Sequence, residues 1–166
     1  DAEILLMDEA FSALDPLIRS EMQNILLDLQ SELHKTIIFI THDLDEALKI
    51  GDRIAILRDG SMVQDSDPQE IIMNPADEYV SDFIKDINRA RVIQAKSIMT
   101  PTNSKSSGAT VKEEMVLEDI LQIMSDAPSK PVTIENSKGK ITGKIEMVNL
   151  IEGMKRPKSL GTNITG

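Results

Sequence analysis

Two short apolar runs joined by an amphipathic segment constrain the fold of this chain most strongly. Ile4–Met7 and Ile37–Ile40 have the length and composition of strands buried on both faces of a parallel sheet. Between them, Asp15 and Pro16 form a helix N-cap followed by proline at the first helical position. The apolar residues after this cap keep the spacing of one helix face, which we expect to be core: Leu17, Ile18, Met22, Ile25, Leu26, Leu29 and Leu33. The order strand, helix, strand predicts a right-handed parallel crossover.

Shorter elements follow the second run. Leu44–Ile50 predicts a helix that Gly51 stops, and the Asp59-Gly60 turn pair predicts a hairpin between strands at 53–57 and 61–64. Asp67-Pro68 starts another helix, which Asn74-Pro75 ends. Residues 77–91 continue as one amphipathic stretch.

The composition changes near Arg91, where we expect a domain boundary. Thr102–Ala109 is rich in Ser, Lys and Gly, as in a linker. Beyond it the pattern predicts a helix around 117–124, strands at 131–135 and 140–145, and a helix at 147–154. Residues 155–166 are expected to be disordered.

Charge and composition exclude several classes of protein. The net charge is -10 and the acids concentrate before residue 91, which argues against a nucleic-acid partner because phosphate backbones are bound by clustered Lys and Arg. Without cysteine, disulfides and thiolate zinc sites are excluded. The chain has neither a membrane-spanning apolar run nor a signal segment. It begins without methionine, and we expect it to be part of a longer protein.

Polar residues of the kinds that take part in catalysis follow both apolar runs. Asp8 and Glu9 come directly after the first run, Ser12–Asp15 lie a few residues on, and His42 follows the second run. Each has a simpler interpretation when taken alone. An acidic pair after a strand is most often a loop or a cap, His42 alone suits a structural role, and Asp15 is fully explained as an N-cap.

Taken together, and in this order, these residues resemble the ATP-binding-cassette (ABC) ATPases. In that resemblance Ile4–Asp8 is the Walker B strand, Glu9 the catalytic glutamate, Ser12–Asp15 the D-loop and His42 the switch histidine. The implied fold is α/β: a partial P-loop-type parallel sheet with helices, as in the C-terminal part of an ABC nucleotide-binding domain, over residues 1–91.

The same resemblance implies roles for these residues in ATP hydrolysis. Asp8 would hold Mg²⁺ through water, Glu9 would orient or deprotonate the attacking water, and His42 would contact the terminal phosphate. Asp15 would lie in the interface between two ATPase subunits. The implied cofactors are ATP and Mg²⁺.

The match is most specific for importer subunits. Residues 8–16 and 86–99 look most like ATPase subunits of glycine betaine and proline importers, so the resemblance implies osmoprotectant uptake; other importers are the alternative. The implied partners are a second ATPase subunit in a homodimer and integral membrane permease subunits. The implied location is cytoplasmic, peripheral on the inner face of the cell membrane.

Two motifs of such ATPases are missing from these 166 residues. The sequence has no Gly-x-x-x-x-Gly-Lys-Ser/Thr phosphate loop and no Leu-Ser-Gly-Gly signature. The chain therefore has residues that could position a metal ion and a water molecule, but it has no loop that binds phosphates. We expect no ATPase activity from the chain alone.

The next predicted domain, 92–154, resembles one cystathionine-beta-synthase (CBS) repeat, a small α+β module, together with its linker. The resemblance itself lies in residues 98–154. Such repeats work in pairs and often place a hydroxyl residue and an aspartate at the start of the last helix, to contact phosphate and ribose. Here those positions hold Glu146 and Asn149. A carboxylate repels phosphate, whereas Asn149 can still hydrogen-bond a ribose. The alternative is a repeat that only mediates dimerisation.

Three further hypotheses stay open. The mildly basic second half, with Lys138, Lys140 and Lys144, predicts a salt-sensitive contact with an anionic membrane surface; a solvated face is the alternative. The whole chain could instead be a non-catalytic regulatory or dimerisation module. Unpaired sheet edges beside Ile4–Met7 predict self-association.

Overall fold

The computed structural model describes residues 3–155. These residues form two compact units, which divide between Ile54 and Ala55. The predicted boundary near Arg91 lies inside the second unit. The division into 1–91 and 92–154 therefore remains a prediction. The tail predicted to be disordered, 155–166, lies almost entirely outside the described residues, since the description ends at residue 155.

The first unit is the predicted strand, helix, strand arrangement. It comprises β1 (Ile4–Asp8), α1 (Pro16–Leu33), β2 (Thr36–Ile40) and α2 (Leu44–Ile50). Strands β1 and β2 pair in parallel, with Ile4 opposite Thr36 and Asp8 opposite Ile40. Their carboxyl ends therefore meet at one edge of the sheet, and the predicted parallel pairing is confirmed.

Aspartate caps begin both helices of this unit. The Asp15 carboxylate accepts from the backbone N–H groups of Leu17 and Ile18, each at 3.1 Å, and Pro16 occupies the first helical position. Asp43 accepts from the N–H of Glu46 at 3.2 Å and caps α2. These contacts satisfy N–H groups that have no partner within the helix.

The burial expected for this unit is wrong. Leu6 on β1 is 64% exposed and Leu17 on α1 is 78% exposed, and most of the predicted core face of α1 is open to solvent. Among the described residues the sheet has only two strands. A two-stranded sheet is too narrow for its own side chains to enclose both faces, so the apolar patterns of β1 and α1 remain uncovered.

The second unit begins with a hairpin and short helices. Strand β3 (Ile54–Arg58), whose first residue ends the first unit, pairs with β4 (Ser61–Ser66). Asp59 and Gly60 both have positive φ, 51° and 76°, as the tight hairpin turn requires. Next come α3 (Pro68–Met73), α4 (Glu78–Phe83), α5 (Arg89–Val92) and α6 (Ala95–Ile98). The predicted single stretch over 77–91 is thus two helices, because α4 ends after Phe83 and Asn88 caps a new helix.

A four-stranded sheet and two longer helices complete this unit. The sheet has the order β5-β8-β7-β6, made from β5 (Thr100–Pro101), β6 (Thr110–Lys112), β7 (Val132–Glu135) and β8 (Ile141–Ile145). Helices α7 (Leu117–Ser125) and α8 (Met147–Met154) accompany it. The predicted strands and helices after residue 115 are confirmed, whereas β5, β6 and α6 were not expected.

The core of the chain lies in the second unit. Within residues 3–155, the large apolar side chains that are fully buried all belong to it: Ile71, Ile72, Val80, Ile93, Leu117, Ile120, Met124, Val132, Ile134, Ile145 and Leu150. They come both from α3 and α4 and from the segment that resembles a CBS repeat. The expected linker also lies against the sheet, because the N–H groups of Ser106 and Gly108 donate to Thr133 and Pro131 at 2.9 and 3.1 Å. None of the helices within residues 3–155 is long and apolar enough to cross a membrane.

Candidate functional site

The polar residues predicted to carry chemistry meet at the carboxyl edge of the β1–β2 sheet. The Glu9 N–H donates to the Ile40 carbonyl at 2.9 Å, which extends the parallel pairing one residue past Asp8. His42 follows two residues after the end of β2. The parallel register therefore brings Glu9 and His42 together from positions 33 residues apart.

Glu9 and His42 form a direct side-chain contact. The His42 Nδ1 and Glu9 Oε1 atoms lie 2.8 Å apart, and both side chains are largely exposed, at 74% and 44%. The hydrogen bond and charge of Glu9 raise the pKa of His42 above 6.5, and the nearby carboxylates of Asp43 and Glu46 add to this effect. The Glu9 carboxylate therefore favours the protonated form of the His42 ring.

The backbone at Glu9 adopts an uncommon conformation. Its φ is 45°, in the left-handed region that non-glycine residues rarely occupy. The Glu9 carbonyl accepts from both the N–H and the hydroxyl of Ser12, at 3.2 and 2.9 Å. Phe11 is buried and its ring lies 5.5 Å from that of Phe39. The Ser12 hydrogen bonds and the Phe11–Phe39 contact thus stabilise this turn. Backbone strain of this kind is often found at functional sites.

Asp8 and Asp15 take different positions around this pair. Asp8 ends β1 with an exposed side chain, while the Asp15 carboxylate is engaged in capping α1. No group of three metal-ligating side chains occurs among residues 3–155. Mg²⁺ needs only one or two carboxylates when phosphate oxygens and water complete its shell. A single carboxylate at a strand end fits that donor set.

Sequence reasoning missed Arg19, which joins the two loops of the site. Its guanidinium lies 3.3 Å from the Asp43 carboxylate and donates to the Leu14 carbonyl at 3.1 Å. One helical turn further, the buried Gln23 donates to Glu46 at 3.1 Å. Arg19 comes four residues after Asp15, so it faces the start of its own helix. That spacing is the signal that could have identified it.

Asn149, the candidate ligand residue of the segment that resembles a CBS repeat, has a side chain that caps its own helix. Its side-chain oxygen accepts from the Glu146 N–H at 2.9 Å, and the Glu146 side chain accepts from the Asn149 backbone, which completes a capping box. Lys144 also lies 2.6 Å from Glu146. This ion pair neutralises one of the three lysines of the proposed basic face. Nucleotide binding and membrane contact at these residues remain predictions.

Comparison with known proteins places this geometry in context. No family model matches the chain. The glycine betaine/carnitine transport ATP-binding protein GbuA of Listeria monocytogenes is 64% identical over 97 residues, which are 58% of this chain and 24% of GbuA. The trimethylamine N-oxide transport system ATP-binding protein TmoW of Pelagibacter ubique is 42% identical over 153 residues, 91% of this chain and 44% of TmoW.

The chain is homologous to part of these transport ATP-binding proteins. It spans between about a quarter and a half of the length of each of the two. The similarity to TmoW extends over most of both units, whereas that to GbuA covers fewer residues at higher identity. This homology agrees with the resemblance to ATP-binding subunits of osmoprotectant ABC transporters.

One solved structure gives a weaker likeness. CbiO1 of Clostridium perfringens, part of the ABC transporter complex cbiONQ, is 30% identical and covers 50% of this chain and 32% of that chain. The TM-score is 0.40, which is too low to support a conclusion about fold.

Proposed function

We propose that these residues supply the water-positioning part of the ATP-binding subunit of a glycine betaine or proline importer. The observation that carries the proposal is the Glu9–His42 pair at the ends of two paired parallel strands, at 2.8 Å. Homology to glycine betaine transport ATP-binding proteins supports the substrate class.

Each residue has a definite part in this proposal. Glu9, in its constrained turn, orients the attacking water and accepts its proton. His42 holds Glu9 through Nδ1 and leaves its other ring nitrogen for a phosphate oxygen. Asp8 is the metal-side carboxylate. When bound, ATP and Mg²⁺ would supply the phosphoryl group and the charge neutralisation that the transfer requires.

The partners follow from the same proposal. A second ATP-binding subunit would complete the site from across a homodimer interface near Asp15, and integral membrane permease subunits would hold the pair on the inner face of the cell membrane. The segment that resembles a CBS repeat would regulate this activity.

The proposal is tested by replacing the segment of GbuA that matches this chain with the corresponding residues of this chain. We expect the chimera to hydrolyse ATP and Glu9→Gln to reduce its rate by about a hundredfold or more, because loss of a positioned catalytic group has that order of effect. Glu32→Gln, on the exposed end of α1, is the matched control and should leave the rate unchanged. The unmodified chain of 166 residues should show no hydrolysis.

A folded chimera in which Glu9→Gln and Glu32→Gln have the same small effect would contradict the proposal. Hydrolysis by the chain alone that Glu9→Gln abolishes would contradict a different expectation, that a chain without a phosphate loop is inactive by itself.

A second candidate is a non-catalytic regulatory module. The distribution of burial favours it, because the fully buried side chains belong to the second unit while the first unit exposes much of its apolar surface. A chimera that folds and still fails to hydrolyse ATP would support this alternative.

A further inference from the structure

A buried arginine joins two helix ends that lie far apart in the sequence. Arg89 is 8% exposed. Its guanidinium donates to the Ile72 carbonyl at 2.6 Å and to the Gly153 carbonyl at 3.1 Å, and it contacts the Met73 sulfur at 3.3 Å. Ile72 lies in the last turn of α3 and Gly153 in the last turn of α8. The cation therefore bridges α3 and α8 through two carbonyls, Ile72 and Gly153, that lie 81 residues apart in the sequence.

The physical chemistry of these acceptors explains why a charge is tolerated here. Carbonyls of the last helical turn lack intrahelical partners and carry partial negative charge. Burial lowers the pKa of Arg89 from its ordinary value, yet a guanidinium stays protonated in proteins. Breaking either contact would leave a buried charge short of a partner, which is costly. The two helix ends are thus held to one group.

A second polar contact holds the other end of α3. The Gln69 amide donates to the Val92 carbonyl at 2.8 Å, and its oxygen accepts from the Gln94 N–H and the Ser97 hydroxyl, both at 2.9 Å. Helix α3 is therefore fastened at its start to the entry of the segment that resembles a CBS repeat, and at its end to the last helix of that segment.

We propose that Arg89 is a coupling residue that makes α3 and α8 move as one body. A change at α8 would then reach α3 through Arg89 without any movement of a flexible linker. This use of the Arg89 bridge rests on the proposed function. In the proposed ATP-binding subunit, ligand binding to the segment that resembles a CBS repeat would shift α8, and the bridge would pass that shift to α3.

Hydrogen exchange of the full chain, read by mass spectrometry, tests this coupling. Asn149→Ala removes half of the capping box at the start of α8, and Gly153→Ala places a Cβ 2.9 Å from Ile98 and 3.0 Å from Leu117. Both should increase exchange in 147–154, Asn149→Ala by about fivefold, the effect of losing an ordinary cap. We expect exchange in 68–73 to rise with it.

The dependence on Arg89 is tested in the same way. In an Arg89→Met background the two substitutions should still loosen α8 but no longer affect 68–73, and Arg89→Lys should give an intermediate response if the methionine variant does not fold. Arg91→Met is the matched control, because Arg91 is two-thirds exposed and pairs with Glu118 at 3.1 Å. It should leave the coupled response intact.

Two outcomes would overturn the proposal: α8 loosening while 68–73 keeps its protection, or the response persisting without the Arg89 guanidinium. Exchange does not depend on ATP hydrolysis, so inactivity of the chimera described above would count against the proposed function and leave this coupling standing.

Discussion

At the residue scale, the contact between Glu9 and His42 has a consequence that can be measured in solution. The glutamate hydrogen bond and charge raise the pKa of His42 above 6.5. A group whose pKa is higher in the folded state contributes stability that is fully present below its unfolded pKa. That contribution is lost as the pH rises through the folded value.

Glu9→Gln should lower the pKa of His42 toward 6.5, because the substitution removes the largest cause of the shift while Asp43 and Glu46 remain. Nuclear magnetic resonance titration of the His42 ring measures this directly. Glu32→Gln is the control, since that carboxylate is not among the groups acting on His42. An unchanged His42 titration in Glu9→Gln would show that the pair does not form in solution.

At the element scale, the sequence predicted what depends on local chemistry. The N-caps at Asp15 and Asp67, the Asp59-Gly60 turn and the parallel pairing of β1 with β2 were all expected. Exposure of the α1 face was not expected, because periodicity tells which residues share a face and not what covers it. Arg89 was missed for a related reason: its partners come from other elements, which spacing alone does not identify.

Asp15 allows the local part of this argument to be tested. Its carboxylate caps two N–H groups of α1, so Asp15→Ala should lower the free energy of unfolding of the first unit by about 1 kcal/mol. Asp15→Asn keeps the capping oxygen and should recover most of the loss. Asp28→Ala, in the interior of the same helix, is the control. Urea unfolding followed by circular dichroism measures all three, and equal losses for alanine at 15 and 28 would contradict the capping role.

At the scale of the whole molecule, the two units differ in how their apolar surface is covered. Buried side chains of α3, α4, α7, α8 and the four-stranded sheet form the core of the second unit. The first unit has the same kinds of residue in β1, β2 and α1 but leaves most of them exposed. Its paired strands also offer backbone groups at their edges, which other chains can pair with. The uncovered surface is therefore concentrated in one unit.

We expect this surface to cause self-association of the 166-residue chain into dimers or larger species. Leu6→Lys and Leu17→Lys place charges on β1 and α1, at side chains that are 64% and 78% exposed, and should shift the mass measured by light scattering toward the monomer. Leu57→Lys is the matched control, since Leu57 is 60% exposed but lies in the second unit. It should leave the mass unchanged, because charge repels only where it lies on the contact surface. A monomer for the unmodified chain would refute self-association, and an equal response to all three lysines would mean that net charge, not the first unit, controls it.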